Sequence, residues 1–215
     1  MFRQIAPFIG RRILEIGAGI GNFTNLMLDR DLVVAADVYP PCVEYLEKRF
    51  ADKPHVLPRR LDVADPATTA LGKYDLDTVV CLNVLEHVED DIGALSHMFA
   101  VLRSGGSLVL LVPAFEFLFG TVDSSLGHHR RYTKPPLVQK MRQSGFAIEK
   151  VFYMNLIGIA GWFLNNRVFK RTEESPKQIA LFDRLIAPVA ERAEKLFQPP
   201  IGLSLIAVGR KTTVS

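Results

Sequence analysis

The stretch Ile13-Leu14-Glu15-Ile16-Gly17-Ala18-Gly19-Ile20-Gly21-Asn22 reads as a buried strand that runs into a glycine-rich turn and then a helix. Glycines at 17, 19 and 21 remove the Cβ atoms that would keep a ligand off the backbone amides, and the amides opening the next helix offer unpaired donors. The pattern predicts a nucleotide cradle. A dinucleotide fingerprint, GxGxxG, would set its third glycine at position 22, where this chain has Asn22.

A chain of 215 residues, 48% hydrophobic and 23% charged, has the make-up of one globular domain with a full core. The formal charge of +3 fits an acidic small molecule, a membrane surface or nucleic acid equally well. Cys42 and Cys81 stand far apart, and Cys81 lies in the apolar run Thr78-Val79-Val80-Cys81-Leu82. It reads as a core thiol in a reducing compartment, not as a zinc ligand. The start, Met1-Phe2-Arg3-Gln4-Ile5, lacks the apolar core of a signal peptide, and the greasiest run, Val151 to Leu164, is too short to span a bilayer. A cytoplasmic protein without a membrane span is expected.

From Arg12 to Val112 short apolar runs alternate with helix-like segments, which predicts an α/β fold with a doubly wound, mostly parallel sheet. Strands are expected at Ile13–Ile16, Leu32–Ala36, His55–Leu61, Thr78–Leu82 and Ser107–Val112, with helices near Asn22–Asp29, Pro41–Phe50 and Asp90–Leu102. Pro40 and Pro41 suit a first helical turn, and Arg103-Ser104-Gly105-Gly106 suits a helix stop followed by a turn. A loop from Pro113 to Lys134 precedes a helix near Pro136. Two further strands, Phe146–Tyr153 and Leu203–Arg210, bring the sheet to seven. Between them two helices, about Leu156–Lys170 and Lys177–Phe197, form a helical insertion at 156–200 within a single domain, 1–215.

Asp37 ends the second strand, beside the glycine turn, where a carboxylate reaches a bound ribose and accepts both hydroxyl hydrogens. Val38 follows it. Asp62, after the third strand, suits the exocyclic amine of adenine, with the Val63 amide toward the ring; Asp65 is the better placed cap for a short helix at Pro66–Leu71. The fourth strand runs into Asn83-Val84-Leu85-Glu86-His87-Val88.

Glu15 two positions before GxGxG, Asp37, Asp62 and an apolar strand followed by Leu-Glu-His resemble, in order and spacing over Arg12 to Val112, the motifs of class I S-adenosylmethionine-dependent methyltransferases of type 11/12. The resemblance implies a Rossmann-like methyltransferase fold, with S-adenosylmethionine as cofactor and S-adenosylhomocysteine as product. It assigns Gly17, Gly19 and Gly21 to the methionine portion with Glu15 toward its ammonium group, Asp37 to the ribose, Asp62 and Val63 to the adenine, the Asn83 carbonyl to the ammonium group and Leu85 to the floor, with Ala18, Asn22 and Val38 as further cofactor-binding residues. His87 is placed at the floor toward the substrate, where a purely structural hydrogen bond is the rival role. In the O-methyltransferases of ubiquinone synthesis a similar place reads Glu-x-x-Glu-His and binds a divalent metal. Here Asn83 stands at the first acidic position, leaving Glu86 and His87, and no metal is expected.

The second cluster is Asp123-Ser124-Ser125-Leu126-Gly127-His128-His129-Arg130-Arg131-Tyr132-Thr133, after the fifth strand, on the edge where substrates bind. Methyl transfer to a hydroxyl or ammonium acceptor requires loss of a proton, which a histidine accepts near neutral pH. His128 is the first candidate base and His129 the second. Arg130 and Arg131, with Tyr132, are candidates to grip a carboxylate or phosphate. The competing reading is that the arginines order the loop through Asp123 or Glu116. Phe115, Phe117, Leu118 and Phe119, with Trp162 and Phe163, suit an apolar acceptor wall or plain core. Arg167, Lys170 and Arg171 allow peripheral contact with anionic lipid or a solvated helix end. The expected acceptor is a small molecule, acidic or partly apolar, with an O or N nucleophile. A nicotinamide oxidoreductase is opposed by the glycine spacing. A nucleic-acid-modifying or nucleic-acid-binding protein is opposed by Asn83-Val84-Leu85-Glu86, where amino-methylating DNA and RNA enzymes carry Asn/Asp-Pro-Pro-Tyr/Phe.

Overall fold

The computed structural model describes residues 2–163 and 199–212. Seven strands form one sheet: β1 (Arg12–Ile16), β2 (Leu32–Asp37), β3 (Val56–Arg60), β4 (Leu76–Leu82), β5 (Leu102–Pro113), β6 (Ala147–Met154) and β7 (Ser204–Arg210), in the order β3-β2-β1-β4-β5-β7-β6. β1 to β5 pair in parallel, while β7 runs antiparallel to both β5 and β6. The described helices are α1 (Phe2–Ile5), α2 (Pro40–Arg49), α3 (Asp91–Val101), α4 (Thr121–Ser125), α5 (Lys134–Gln143) and α6 (Gly158–Phe163).

The central strands are apolar on both sides because helices cover both faces of the sheet. Successive residues of β1 face opposite ways. Leu14 joins Val34, Val79 and Leu108 beneath Leu95 and Met98 of α3 and Leu137 and Met141 of α5. Ile13 joins Val33, Val80 and Val109 with Ile5 of α1 and Leu46 of α2. Burial of each such side chain contributes ~1.5–3 kcal/mol, so the sheet is held from both sides. Cys81 is fully buried in the first of these layers, and burial pushes its thiol pKa up.

Local chemistry accounts for most element ends. Asp65 accepts a hydrogen bond from the Ala67 amide at 2.8 Å and opens the 3₁₀ segment Pro66–Tyr74, while Asp90 accepts from the Gly93 amide at 2.9 Å and opens α3. Prolines fill the first turn of α2.

Two expectations fail. The helix expected over Asn22–Asp29 is a run of turns containing only the 3₁₀ segment Thr24–Met27. Asn22, Thr24 and Asn25 compete with a helical backbone for hydrogen bonds, and the Thr24 hydroxyl is committed to Glu15 at 2.5 Å. The turn expected at Arg103–Gly106 lies inside β5, because Leu102 already pairs with Leu76 and the extra length is absorbed by a register shift between Leu76 and Thr78. Of the insertion expected at 156–200, α6 falls in its described beginning; 164–198, with Arg167, Lys170 and Arg171, lie outside the described residues. No described helix is long and apolar enough to cross a membrane.

The strand order reverses between β1 and β4, which are neighbours although the chain leaves β1 for β2. A crevice opens at the carboxyl ends of strands on either side of such a reversal.

Candidate active site

A cleft of about 510 Å³ lies at that reversal, lined by Glu15, Gly17, Ala18, Gly19, Asn22 and Asn83 and also by Ile16, Ile20, Phe23, Leu26 and Leu82. The first six are anticipated from sequence. Ile20 and Leu26 are not, although two large apolar side chains left 49% and 47% exposed beside a glycine turn are themselves a mark of a ligand surface.

The three glycines do different work. All have positive φ, but a Cβ at Gly17 would sit 2.2 Å from Val84 and one at Gly21 2.6 Å from Phe50, both against the protein's own packing. A Cβ at Gly19 would meet nothing within 4 Å. Gly19 is therefore the glycine whose bare backbone faces open space, whereas Gly21, assigned from sequence to the ligand, is buried against α2 and its neighbour Phe50. Arg49 holds the turn from outside by donating to the Ile20 carbonyl and, at 3.2 Å, to Asn22 Oδ1.

Asp37 accepts hydrogen bonds from the Gly19 amide at 2.8 Å and the Tyr39 amide at 2.9 Å, so the carboxylate is locked beside the turn with lone pairs to spare. Glu15 is 3% exposed; burial raises its carboxyl pKa to about 7 against the opposing hydrogen bond from Thr24. Asn83 has φ 52° and is exposed at the cleft. Val38 is 56% exposed. Asp62 is exposed and bonds the Ala64 amide at 2.9 Å, while the Val63 side chain is buried. Leu85 is wholly buried in the core, so its side chain does not form the cleft floor expected of it.

The loop after β5 is closed at its base by a bridge between Ala114 and Tyr132, with Phe115 N donating to Tyr132 O and Tyr132 N to Pro113 O, each at 2.9 Å. Inside it Asp123 is 0% exposed and accepts from the Gly120 amide, from His128 Nδ1 at 2.9 Å and from Arg131 Nε at 2.9 Å. Burial would raise the Asp123 pKa, but the His128 and Arg131 bonds outweigh it and hold the carboxyl below its usual range. An ionised carboxylate only accepts, so His128 Nδ1 carries the hydrogen, and in the neutral ring the lone pair is on Nε2.

Arg131 and Tyr132 correct the substrate reading. Arg131 is 6% exposed, bound to Asp123, donating to the Ala114 carbonyl and stacked 4.7 Å from the Trp162 ring centroid; its own amide donates to Glu116. Tyr132 is buried and donates to Asp91 Oδ2 at 2.9 Å. Neither side chain has a free polar face, and the loop-ordering reading describes both. Arg130 pairs with Asp91 at 2.9 Å and donates to the Glu89 carbonyl, and Lys140 also bonds Asp91. Asp91, unnoticed in the sequence, gathers three cationic or hydroxyl donors and ties α3, α5 and the loop together.

His129 is exposed, its amide donating to the Glu86 carbonyl at 2.8 Å. The His87 ring meets the His128 ring edge-on, with centroids 4.6 Å apart and planes at 83°. Burial, and then His128, holds the His87 pKa below the ordinary imidazole value. Next to them Glu86 is 1% exposed, neither carboxyl oxygen has a hydrogen-bond partner, and burial raises its pKa to about 7.

A glycine turn opening on a switch-point cleft, with a locked carboxylate on the next strand, defines a nucleoside-cofactor-binding α/β protein. Residues 14–108 match a family model described as a methyltransferase domain. The chain is 32% identical over 137 residues to a tRNA U34 carboxymethyltransferase from Syntrophotalea carbinolica, matching over 61% of this chain and 40% of that protein. It is 26% identical to a ubiquinone biosynthesis O-methyltransferase from Xanthomonas euvesicatoria pv. vesicatoria, over 76% of this chain and 73% of the relative. The fold matches an S-adenosylmethionine-dependent methyltransferase structure from Mesorhizobium loti with a TM-score of 0.65 at 15% identity, covering 97% of this chain and 95% of that one. Over residues 14–108 the chain is thus similar to methyltransferase domains, and its fold is that of an S-adenosylmethionine-dependent methyltransferase. The open backbone at Gly19 and the acidic cleft wall at Glu15 fit that cofactor.

Proposed function

We propose that the chain transfers a methyl group to an O or N nucleophile of a small, partly apolar acceptor held at the carboxyl edge of β4 and β5. The observation that carries this reading is the Asp123–His128 pair beside the motif that ends β4, with His128 Nε2 left as a proton acceptor. When bound, S-adenosylmethionine supplies an electrophilic methyl on its sulfonium; the acceptor's lone pair forms the new bond, the carbon–sulfur pair stays on sulfur, and the acceptor's proton leaves to a base. His128 takes that proton at Nε2, Asp123 holds the ring by Nδ1, and the buried Asp123–Arg131 pair fixes Asp123. Asp37 holds the ribose hydroxyls, Gly19 lets the methionine portion lie on the backbone, and Glu15 and Asn83 face the ammonium group. Asp62, Val63 and the exposed Val38 suit the adenine.

The engagement of Arg130 and Arg131 with Asp91 and Asp123 removes the support for an acidic acceptor, and the exposed Phe117 and Leu126 of the same loop favour apolar surface. Neither of these two arginines is left free to track the phosphates of a tRNA. The unpaired thiols Cys42 and Cys81 support a reducing, cytoplasmic setting. The test is incubation with S-adenosylmethionine and fractionated small-molecule extract, with mass spectrometry for species heavier by one CH₂ unit. With the acceptor found, His128→Ala should lower turnover ~10²–10⁴-fold with little change in S-adenosylhomocysteine affinity. Full activity would remove His128 from the chemistry.

A further inference from the structure

We propose that Glu86, His87 and His128 form a binding site for one divalent transition-metal ion, with Asp123 as the group that orients His128. Among the described residues these three bring one donor atom each to within 4.8 Å of one another. Two donors on one ion, each at about 2.0–2.2 Å, stand at most ~4.4 Å apart, so a small turn of the exposed His87 ring closes the set.

The second observation is independent of that spacing. Glu86 is 1% exposed, and both of its oxygens lack any hydrogen-bond partner. Buried carboxylates are ordinarily paired, hydrogen-bonded or bound to a metal. The cations nearby are already committed, Arg131 to Asp123 and Arg130 to Asp91, and a Glu86 oxygen lies within that 4.8 Å of a ring nitrogen on each imidazole.

Two imidazoles and one carboxylate with open positions suit zinc, iron(II), cobalt or manganese; calcium and magnesium want oxygen donors instead. His128 donates Nδ1–H to Asp123, which leaves Nε2 to coordinate, and a carboxylate behind a ligating histidine is the usual outer partner of such a metal. The third donor comes from the loop after β5, some forty positions from Glu86 and His87, so no local spacing in the sequence announces it. Asn83, three positions before Glu86, is exposed at the cofactor cleft and lies outside the donor set. The proposal does not rest on methyl transfer. It does set the ion and the proton in competition for one lone pair on His128.

The test uses the full chain, stripped with a chelator and titrated with Co²⁺ by absorption spectroscopy and with Zn²⁺ by calorimetry, without cofactor or acceptor. The expected result is one ion per chain and a tetrahedral-type cobalt spectrum. Glu86→Gln, His87→Ala and His128→Ala should each weaken binding more than tenfold, with Asp123→Asn costing ~10–100-fold and His129→Ala unchanged. Thermal unfolding and S-adenosylhomocysteine titration of each variant confirm that it is folded. Failure of the wild type to take up either ion, or equal uptake by folded His128→Ala, overturns the site. Loss of S-adenosylhomocysteine binding by the wild type would instead overturn the methyltransferase reading and leave this one standing.

Discussion

Asp123 and Arg131 form an ion pair at 2.8 Å with side chains 0% and 1% exposed, and the same carboxylate oxygen receives Nδ1–H of His128. One carboxylate thus neutralises a buried cation and orients the imidazole proposed as the base. Loop stability and the setting of that ring are coupled through it.

Removing either partner leaves a buried charge without compensation. Asp123→Ala and Arg131→Ala should each lower unfolding stability by ~3–5 kcal/mol, read from urea midpoints. The double variant should lose clearly less than the sum of the two, since neither charge is then stranded. Strict additivity would mean that the pair is solvated in the native protein.

Gly19→Ala separates the ligand role of the turn from its folding role. The new methyl meets no protein atom, so the cost to stability is the ~1–2 kcal/mol of a left-handed residue, while S-adenosylhomocysteine affinity should fall severely. Gly21→Ala forces a methyl against Phe50 and Leu46 and should lose more thermal stability than Gly19→Ala. Normal binding by Gly19→Ala in calorimetry would show that the turn is not the cradle.

Glu15 makes both stability and binding depend on pH. Its folded pKa of about 7 lies above the ordinary 4.5, so the native state holds the proton more tightly than the unfolded chain and stability falls as pH rises from 4.5 through 7. The full effect is on the order of 3 kcal/mol. The cofactor's ammonium prefers the ionised carboxylate, so affinity should run the other way and weaken as pH falls through 7. Melts and titrations of Glu15→Gln between about pH 5 and pH 8 should be flatter in both respects.

Asp37 is fixed by two amides before any ligand arrives. Asp37→Asn, which keeps the shape and loses the charge, should weaken S-adenosylhomocysteine binding by ~1.5–3 kcal/mol per ribose bond lost. Unchanged affinity would contradict the ribose role.

The strands were legible because a sheet covered on both faces leaves continuous apolar runs bounded by turn residues, as in Ile13–Ile16 and Thr78–Leu82. Caps such as Asp65 were legible because an N-cap bond spans two residues. The helix expected over Asn22–Asp29 failed because the Thr24 hydroxyl goes to Glu15, nine positions away, and no local pattern carries that preference. Arg131 and Tyr132 were misread for the same reason: chemistry that grips a ligand in the open serves equally to fill a loop from within.

The sequence by itself determined the alternation of strands and helices, the cofactor turn and the acidic positions around it, since each depends on residues within a few places of one another. The tertiary structure alone decided which glycine faces open space, which arginine is consumed inside the protein, and that Glu86, His87 and His128 share one corner. Those facts depend on distance and burial that local spacing does not fix, across some forty residues in the case of Glu86 and His128, and the free energy of a charge depends on what surrounds it in space.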